Sequence, residues 1–500
     1  MRSGTENDAG RAPQVLAPLV EGHCQRSAPP GIGEVPEAAT GRCARAPLRA
    51  PAYEHPQRYL IFAEPATTPP PPRAATEREE EEELLGMEEQ TTSAGIDWAK
   101  DEHALCVVEE ASGRVLLQRR FTHQEGAIEK LCRTLVGMGV ERVAIERPEG
   151  VLVERVLEAG IVVIAIHPNQ LKASRPRFRA SGARSKSDAF DAFCLAELAR
   201  TDHHRFRALV PDSEETKALK VLTRAREDLV GTRVALANQL RSELEAFWAG
   251  AAILFSEIDS SISLAFLERY PSPKDALRLG EKRLEGFLSK NRYSGGKSAL
   301  ELLERIRKAP KGRAGKAEIE ARREAVLALV GTLKVLLERI KVLEEKIARA
   351  VRAHPDGQIF LSLFVSPNTT LTAATLVAEI GDQRGRYPTN EALAAAAGMS
   401  PVAVESGRRK VAVFRRACDK RLRRAVAILA ESTRHHNRWA KEIYRRARQR
   451  GCDPAHAMRI LGRAWVRVIF RMWQDGLPYD PARHGGLRRL RSAEGLTQGV

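Results

Sequence analysis

The sequence predicts an α/β N-terminal domain, a long helical middle and a mostly α C-terminal domain. Three observations carry this. Short β-runs alternate with helical patterns between about 93 and 200; two long Pro-free stretches rich in Ala, Leu, Glu, Lys and Arg occupy 213–248 and 318–353; and a helical pattern at 370–380 leads into a basic segment and two further helices. At 500 residues the chain exceeds a single core, which usually stops growing at roughly 250–300 residues. The expected units are 93–210, 211–357 and 358–480, with an extension at 1–92 and a basic tail at 481–500.

The extension differs in kind from the rest. Thirteen of the 27 prolines fall there, including Pro69 to Pro72, and an acidic run from Glu77 to Glu83 follows. Such a composition buries too little apolar surface to offset its ordering entropy, which predicts disorder. A second reading is that translation starts at Met87, just before the first strand.

In the first domain, strands are expected at 93–98 (SAGIDW), 103–109 (HALCVVE) and 114–121 (RVLLQRRF). A helix at 124–138, a strand at 141–146 (ERVAIE), a helix at 150–159, a strand at 161–166 (IVVIAI) and a helix at 187–200 complete it. A three-strand meander followed by alternating helix and strand is the element order of an RNase H-like fold. In the middle region Leu329, Leu333, Leu336, Ile340, Leu343 and Ile347 follow 4-3-4-3-4 spacing, one seam of a helix. That seam fits a coiled coil, and hence self-association, and equally an intramolecular helical hairpin.

A net charge of +17, from 81 Lys and Arg against 64 Asp and Glu, favours a polyanionic partner, of which nucleic acid is the commonest. The seven cysteines, at 24, 43, 106, 132, 194, 418 and 452, are scattered, so neither a disulfide framework nor a zinc site is indicated. With no apolar run of membrane-spanning length and no signal-peptide h-region, a membrane partner is not expected and the cytoplasm is the default.

Four acids sit where chemistry is expected. Asp97 lies in the middle of a strand, between apolar Ile96 and Trp98, Glu146 ends the strand RVAIE, and Asp188 and Asp191 share one face of a helix. Clustered carboxylates repel one another unless a cation compensates. Magnesium suits an all-oxygen set, and two ions roughly 3.5–4 Å apart can stabilise both oxygens of an in-line phosphoryl displacement. Taken singly, each acid is more simply a solvated surface carboxylate, a reading that Asp97 resists because a charge inside an apolar strand is unusual, and the helical pair also fits a first turn.

GIDWAK, AIERPEG and HPNQLKASRPRFRASGARSKSDAFDAFCLAELAR resemble the N-terminal DEDD domain of the insertion-sequence family one-ten, which encodes RuvC-like transposases. AATLVAEIGDQRGRYPTNEALAAAAGMSPVAVESGRRKVAVFRRACDKRLRRAV is similar to that family's C-terminal domain, and the resemblance covers about 93–210 and 358–480. It implies that Asp97, Glu146, Asp188 and Asp191 bind the metals and that Ser406 attacks a DNA phosphodiester, giving a covalent phosphoserine intermediate. It implies as partners DNA, an element-encoded guide RNA and further copies of the chain, as a dimer or tetramer in which one subunit's DEDD domain meets another's serine domain. Where many relatives carry a Pro-Gly-x-Gly turn, this chain has Ser366-Pro367-Asn368-Thr369-Thr370, the mark of a divergent subgroup.

Without the family, Ser406 before Gly407 reads as an ordinary turn. Its surroundings narrow that reading: from Arg408 to Arg424 there are nine Lys or Arg and one acid, Asp419. Arg408, Arg409, Lys410, Arg415, Arg416, Lys420, Arg421 and Arg424 are candidate phosphate contacts, with Phe414 and Leu422 expected on one buried helical stripe. Arg175, Arg177, Arg179, Arg184 and Lys186 form a second candidate set. Two other readings remain at this stage: a RuvC-like nuclease or junction resolvase in which water attacks, and a nucleic-acid-binding protein without catalysis, which the four acids disfavour.

Overall fold

The computed structural model describes residues 91–178, 187–364, 366, 369–407 and 409–489. Met87 and the rest of 1–90, Arg179, Arg184, Lys186, Pro367, Asn368, Arg408 and 490–500 lie outside the described residues, and Arg409 is described only by its place in a strand.

Five strands build one sheet: β1 (Thr92–Asp97), β2 (Glu102–Glu109), β3 (Val115–Thr122), β4 (Val140–Ile145) and β5 (Val162–Ala165), in the order β3-β2-β1-β4-β5. β2 runs antiparallel to β1 and β3, while β4 is parallel to both β1 and β5. This is the RNase H-like, RuvC-like arrangement that the element order predicts. The central strands are buried on both faces, which is why β2 reads as a near-continuous apolar run instead of alternating. Helices α1 (Glu125–Gly137) and α2 (Val151–Glu158) cover one face through Ile128, Leu131, Leu152 and Val156. After β5 come the short α3 (Pro168–Ser174) and a single 3₁₀ turn. Then α4 (Asp188–Thr201) covers the other face so closely that a side chain at Gly95 would overlap the Ala192 carbonyl and the Ala196 amide.

The two Pro-free stretches form α5 (Glu214–Phe247) and α10 (Lys316–Ala353), of 34 and 38 residues. They pack against each other in antiparallel sense, with Arg226 bonded to Glu344 at one level and Arg322 to Glu243 at another. Leu333, Ile340 and Ile347 of the leucine seam are buried and Leu336 and Leu343 half-buried, so of the two expectations it is the intramolecular pair that is seen. Between the long helices, α6 (Ala249–Ala252), α7 (Ser261–Arg269), α8 (Glu281–Lys290) and α9 (Ala299–Lys308) close a separate core around Leu244, Phe266, Leu302 and Val330.

At their other end the long helices join the C-terminal helices in one core containing Leu219, Val351, Val377, Leu429 and Trp465. Its members are α11 (Gly357–Leu361), α12 (Thr370–Ile380), α13 (Asn390–Ala396), α14 (Lys420–His436), α15 (Arg438–Gln449) and α16 (Pro454–Asp475). Two expectations are corrected here. The start of the basic segment is a β-hairpin, β6 (Val402–Ser406) and β7 (Arg409–Val413), and three helices follow it where two were expected. Phe414 and Leu422 do not share a helical stripe: Leu422 is buried in α14, whereas Phe414 precedes the helix, 44% exposed, under the guanidinium groups of Arg423 and Arg459. The start of the expected tail is also folded, with Leu487 buried.

Candidate active site

Asp97 is the last residue of β1, at its end and not in its middle, and Glu146 directly follows β4. Ile96 pairs with Ile145 in the parallel ladder, so the two acids continue adjacent strands side by side. In open α/β sheets the carboxyl ends of parallel strands are where ligands bind. The residue after each acid ties the strand ends together, because the Arg147 guanidinium lies 4.2 Å above the Trp98 ring. Trp98 in turn contacts His103 and His123, whose rings share a 2.8 Å hydrogen bond. Burial, and then the neighbouring His123, pushes His103 down to about 4, so it is neutral at physiological pH.

The two helical acids diverge. Ser187 caps α4 by accepting from the Phe190 amide, placing Asp188 and Asp191 in the first turn, where the helix dipole favours them. Asp191 is 3% exposed and held at both oxygens by Arg175, at 2.6 and 2.8 Å. Burial opposes the charge on Arg175, but the bonds to Asp191 and the fields of Asp191 and Glu146 outweigh it and raise its pKa. Arg175 is thus bonded to Asp191 and lies within the field of Glu146. Asp188 is exposed and lies 3.5 Å from Arg120 of β3, beside Lys100, Asp101 and Glu102 in a shallow pocket of about 160 Å³. Asp97 and Glu146 thus lie side by side at the strand ends, Asp191 is committed to Arg175, and Asp188 shares a pocket with Ala99 and Lys100, just beyond Asp97.

Carboxylate oxygens are the donors a hard divalent ion prefers, and in that chemical sense the residues fit one. Asp191 is instead held by Arg175 and Asp188 lies beside Arg120, and among the described residues no group of three His, Cys, Asp or Glu could hold a metal ion. A guanidinium in bidentate contact supplies the compensating charge that the cluster needs.

Ser406 is elsewhere. It ends β6 at the tip of the hairpin, pairs with Arg409 across a turn in which Gly407 has φ +55°, and is exposed. That φ lies in the left-handed region that glycine occupies at little cost. The hairpin register puts Ser406 on the same face as the cross-strand pairs Val402–Val413 and Val404–Val411, while Glu405 meets Lys410 on the other face.

Several expected phosphate contacts are occupied within the chain. Arg177 pairs with Asp202, Arg421 with Glu227 and Asp228, and Arg424 with Glu227, while Arg415 donates to the Ser400 carbonyl. Lys410, Arg416 and Lys420 are exposed. A link that sequence reasoning missed joins the halves: Arg224 of α5 holds the buried Glu379 of α12 at 3.0 Å through two nitrogens and reaches Glu149, in the loop after Glu146, at 3.5 Å.

Residues 94–249 match a family described as "Transposase", and residues 369–445 match the "Transposase IS116/IS110/IS902 family". The chain is similar to the "Mini-circle putative transposase for IS117" of Streptomyces coelicolor, 32% identical over 404 residues, which are 79% of this chain and 96% of that protein. It is also similar to the "Insertion element IS900 uncharacterized 42 kDa protein" of Mycobacterium paratuberculosis, 26% identical over 79% of this chain and 98% of that protein. The solved structure of T. thermophilus RuvC in complex with Holliday junction substrate covers 24% of this chain and 100% of its own, at 20% identity and a TM-score of 0.20, too low to add to the topology. The RNase H-like sheet, the two family matches in order and the near full-length relative agree: the chain belongs to the IS116/IS110/IS902 family of insertion-element transposases, enzymes of DNA transposition that act by phosphoryl transfer.

Proposed function

We propose that this transposase cuts and rejoins DNA through a covalent phosphoserine formed on Ser406, with Asp97, Glu146, Asp188 and Asp191 serving the phosphate as a divalent-ion site. The observation that carries the reading is the exposed position of Ser406 at the tip of a hairpin, where an incoming backbone can reach its hydroxyl. In the forward step the Ser406 oxygen bonds to phosphorus as the bond to one DNA strand breaks. The serine gives up its proton and the departing strand oxygen gains one. Rejoining reverses the exchange with a new strand end, so one phosphodiester replaces another and no external energy source is required. A hydroxyl is a poor nucleophile until a base or metal activates it. The four acids would hold Mg²⁺, in two ions, once Arg175 and Arg120 turn aside, and the ions would supply charge neutralisation at the phosphate. The same proposal includes a second copy of the chain, in a dimer or tetramer, bringing the acids to Ser406, and a guide RNA supplying target choice.

Incubation of the protein with Mg²⁺ and matched donor DNA should give an adduct that survives denaturation, and Ser406→Ala should give none. Recombination by Ser406→Ala would leave water as the attacking group and favour the nuclease reading.

The metal assignment makes its own prediction. In Arg175→Ala the metal-free protein loses about 3 kcal/mol, because the buried Asp191 is left without its partner. Added Mg²⁺ then raises the melting temperature of the variant more than that of the wild type. Equal Mg²⁺ responses in thermal melts of the two proteins contradict the assignment.

A further inference from the structure

The helix α15 carries a basic surface that the reading of Ser406 does not use. From Arg438 to Arg450 there are six Lys or Arg and a single acid, Glu442. The helix buries Ala440 and Ala447, seven residues apart, packs Trp439, Ile443 and Tyr444 half-buried against the C-terminal core, and exposes Lys441, Arg445, Arg446 and Arg448. Lys441, Arg445 and Arg448, spaced four and three apart, share one face. With Arg434, His435 and Tyr444 they line an open cleft of about 340 Å³ between α14 and α15.

Ion pairs decide which of these charges remain for a ligand. Arg434 is paired with Glu431 at 2.5 Å, and its guanidinium lies 5.1 Å from the Tyr444 ring. Glu442 sits between Arg445 and Arg446, at 2.7 and 2.5 Å, and their hydrogen bonds pull its carboxyl down to about 2. One carboxylate shared by two arginines leaves a net positive charge. Arg448 donates to the Cys452 carbonyl, a neutral acceptor, and among the described residues no carboxylate is paired with Lys441 or Arg448. The arginines of α14 differ, since Arg421 and Arg424 are answered by Glu227 and Asp228 of α5. The α14–α15 cleft therefore keeps positive charge that no carboxylate answers among the described residues.

We infer that the α14–α15 cleft binds the sugar–phosphate backbone of duplex DNA, independently of its sequence. The inference rests on the family's action on DNA but not on the role of Ser406. Seven residues of helix span about 10 Å, the axial length of about three phosphates along one strand. Charge complementarity with that backbone is what the cleft offers. Its lining is mostly cationic, and phosphate contacts position a duplex without choosing its sequence.

The test is fluorescence anisotropy of a labelled duplex of arbitrary sequence, titrated with the full chain across a range of salt concentrations. The double variant Lys441→Gln, Arg448→Gln should bind about tenfold more weakly. The slope of log affinity against log salt should flatten by about two units, one for each lost phosphate contact. Ser406→Ala should keep the wild-type slope, so a failure of the serine reading leaves this result standing. An unchanged slope in the double variant, at wild-type melting temperature, overturns the inference. So does a variant that loses affinity for single-stranded RNA of equal length while holding duplex DNA as before, which would assign the cleft to RNA. To control for loss of the Arg448–Cys452 bond, Lys441→Gln alone should flatten the slope by about one unit.

Discussion

Replacing Gly95 by alanine should destabilise the α/β unit by about 3 kcal/mol or more, a large effect for one methyl group. The added carbon would overlap the Ala192 carbonyl oxygen and the Ala196 amide nitrogen and would lie 2.7 Å from the Leu195 Cβ. All of these belong to α4, and two are backbone atoms that no rotamer change can withdraw. Close-packed interiors respond to such an insertion by shifting whole elements. Here the element that must shift is the helix whose first turn holds Asp188 and Asp191. Urea denaturation followed by tryptophan fluorescence would measure the loss, and adduct formation by the surviving folded protein would report on the acids. A Gly95→Ala protein within about 1 kcal/mol of wild type would show that α4 does not rest on β1 as described.

The second large effect is expected at Arg224. The carboxyl of Glu379 is 1% exposed and bonded through both oxygens to this one guanidinium. Removing the cation strands a buried anion, which typically costs about 3–5 kcal/mol. Arg224→Ala should therefore lower the denaturation midpoint strongly. Replacing both partners with apolar residues of similar volume removes the stranded charge together with the pair, so Arg224→Met combined with Glu379→Leu should recover most of the loss. If the double variant is as unstable as Arg224→Ala alone, the penalty comes from lost packing and not from charge. Because Arg224 also reaches Glu149, the single variant should loosen the loop that follows Glu146 as well.

Much of the fold could be read in the sequence, because its signals were local. The apolar run HALCVVE, the alternation of strand and helix after it, and the Pro-free stretches each specify their element with few competing readings. That Asp97 and Glu146 belong to these two strands was legible for the same reason, but the strand ends were not: Asp97 closes β1 and Glu146 lies just past β4. The hairpin was missed although its signal was present: Val402 and Val404 before Ser406-Gly407, Val411 and Val413 after it, at period two around a glycine turn. The density of arginine drew attention to charge and away from that alternation. Long-range pairings could not be read at all. Nothing in the sequence distinguishes Arg175, which is committed to Asp191, from Lys441, which meets no carboxylate among the described residues, since the difference lies in which residues the fold brings near. The cation–π contact between Arg147 and Trp98 is an intermediate case, because each directly follows an acid on a strand end, a symmetry visible in the sequence but without meaning until the strands are known to be neighbours.

The antiparallel course of the two long helices has a geometric consequence. The chain enters the pair at Glu214 and leaves it at Ala353, and a 2.7 Å hydrogen bond between Thr216 and His354 shows that entrance and exit coincide. The 60-odd residues of small helices at the distal end hang on a stalk whose base is closed. Lengthening or shortening both long helices by whole turns would thus move the cap while leaving the spacing of the parts at its root unchanged.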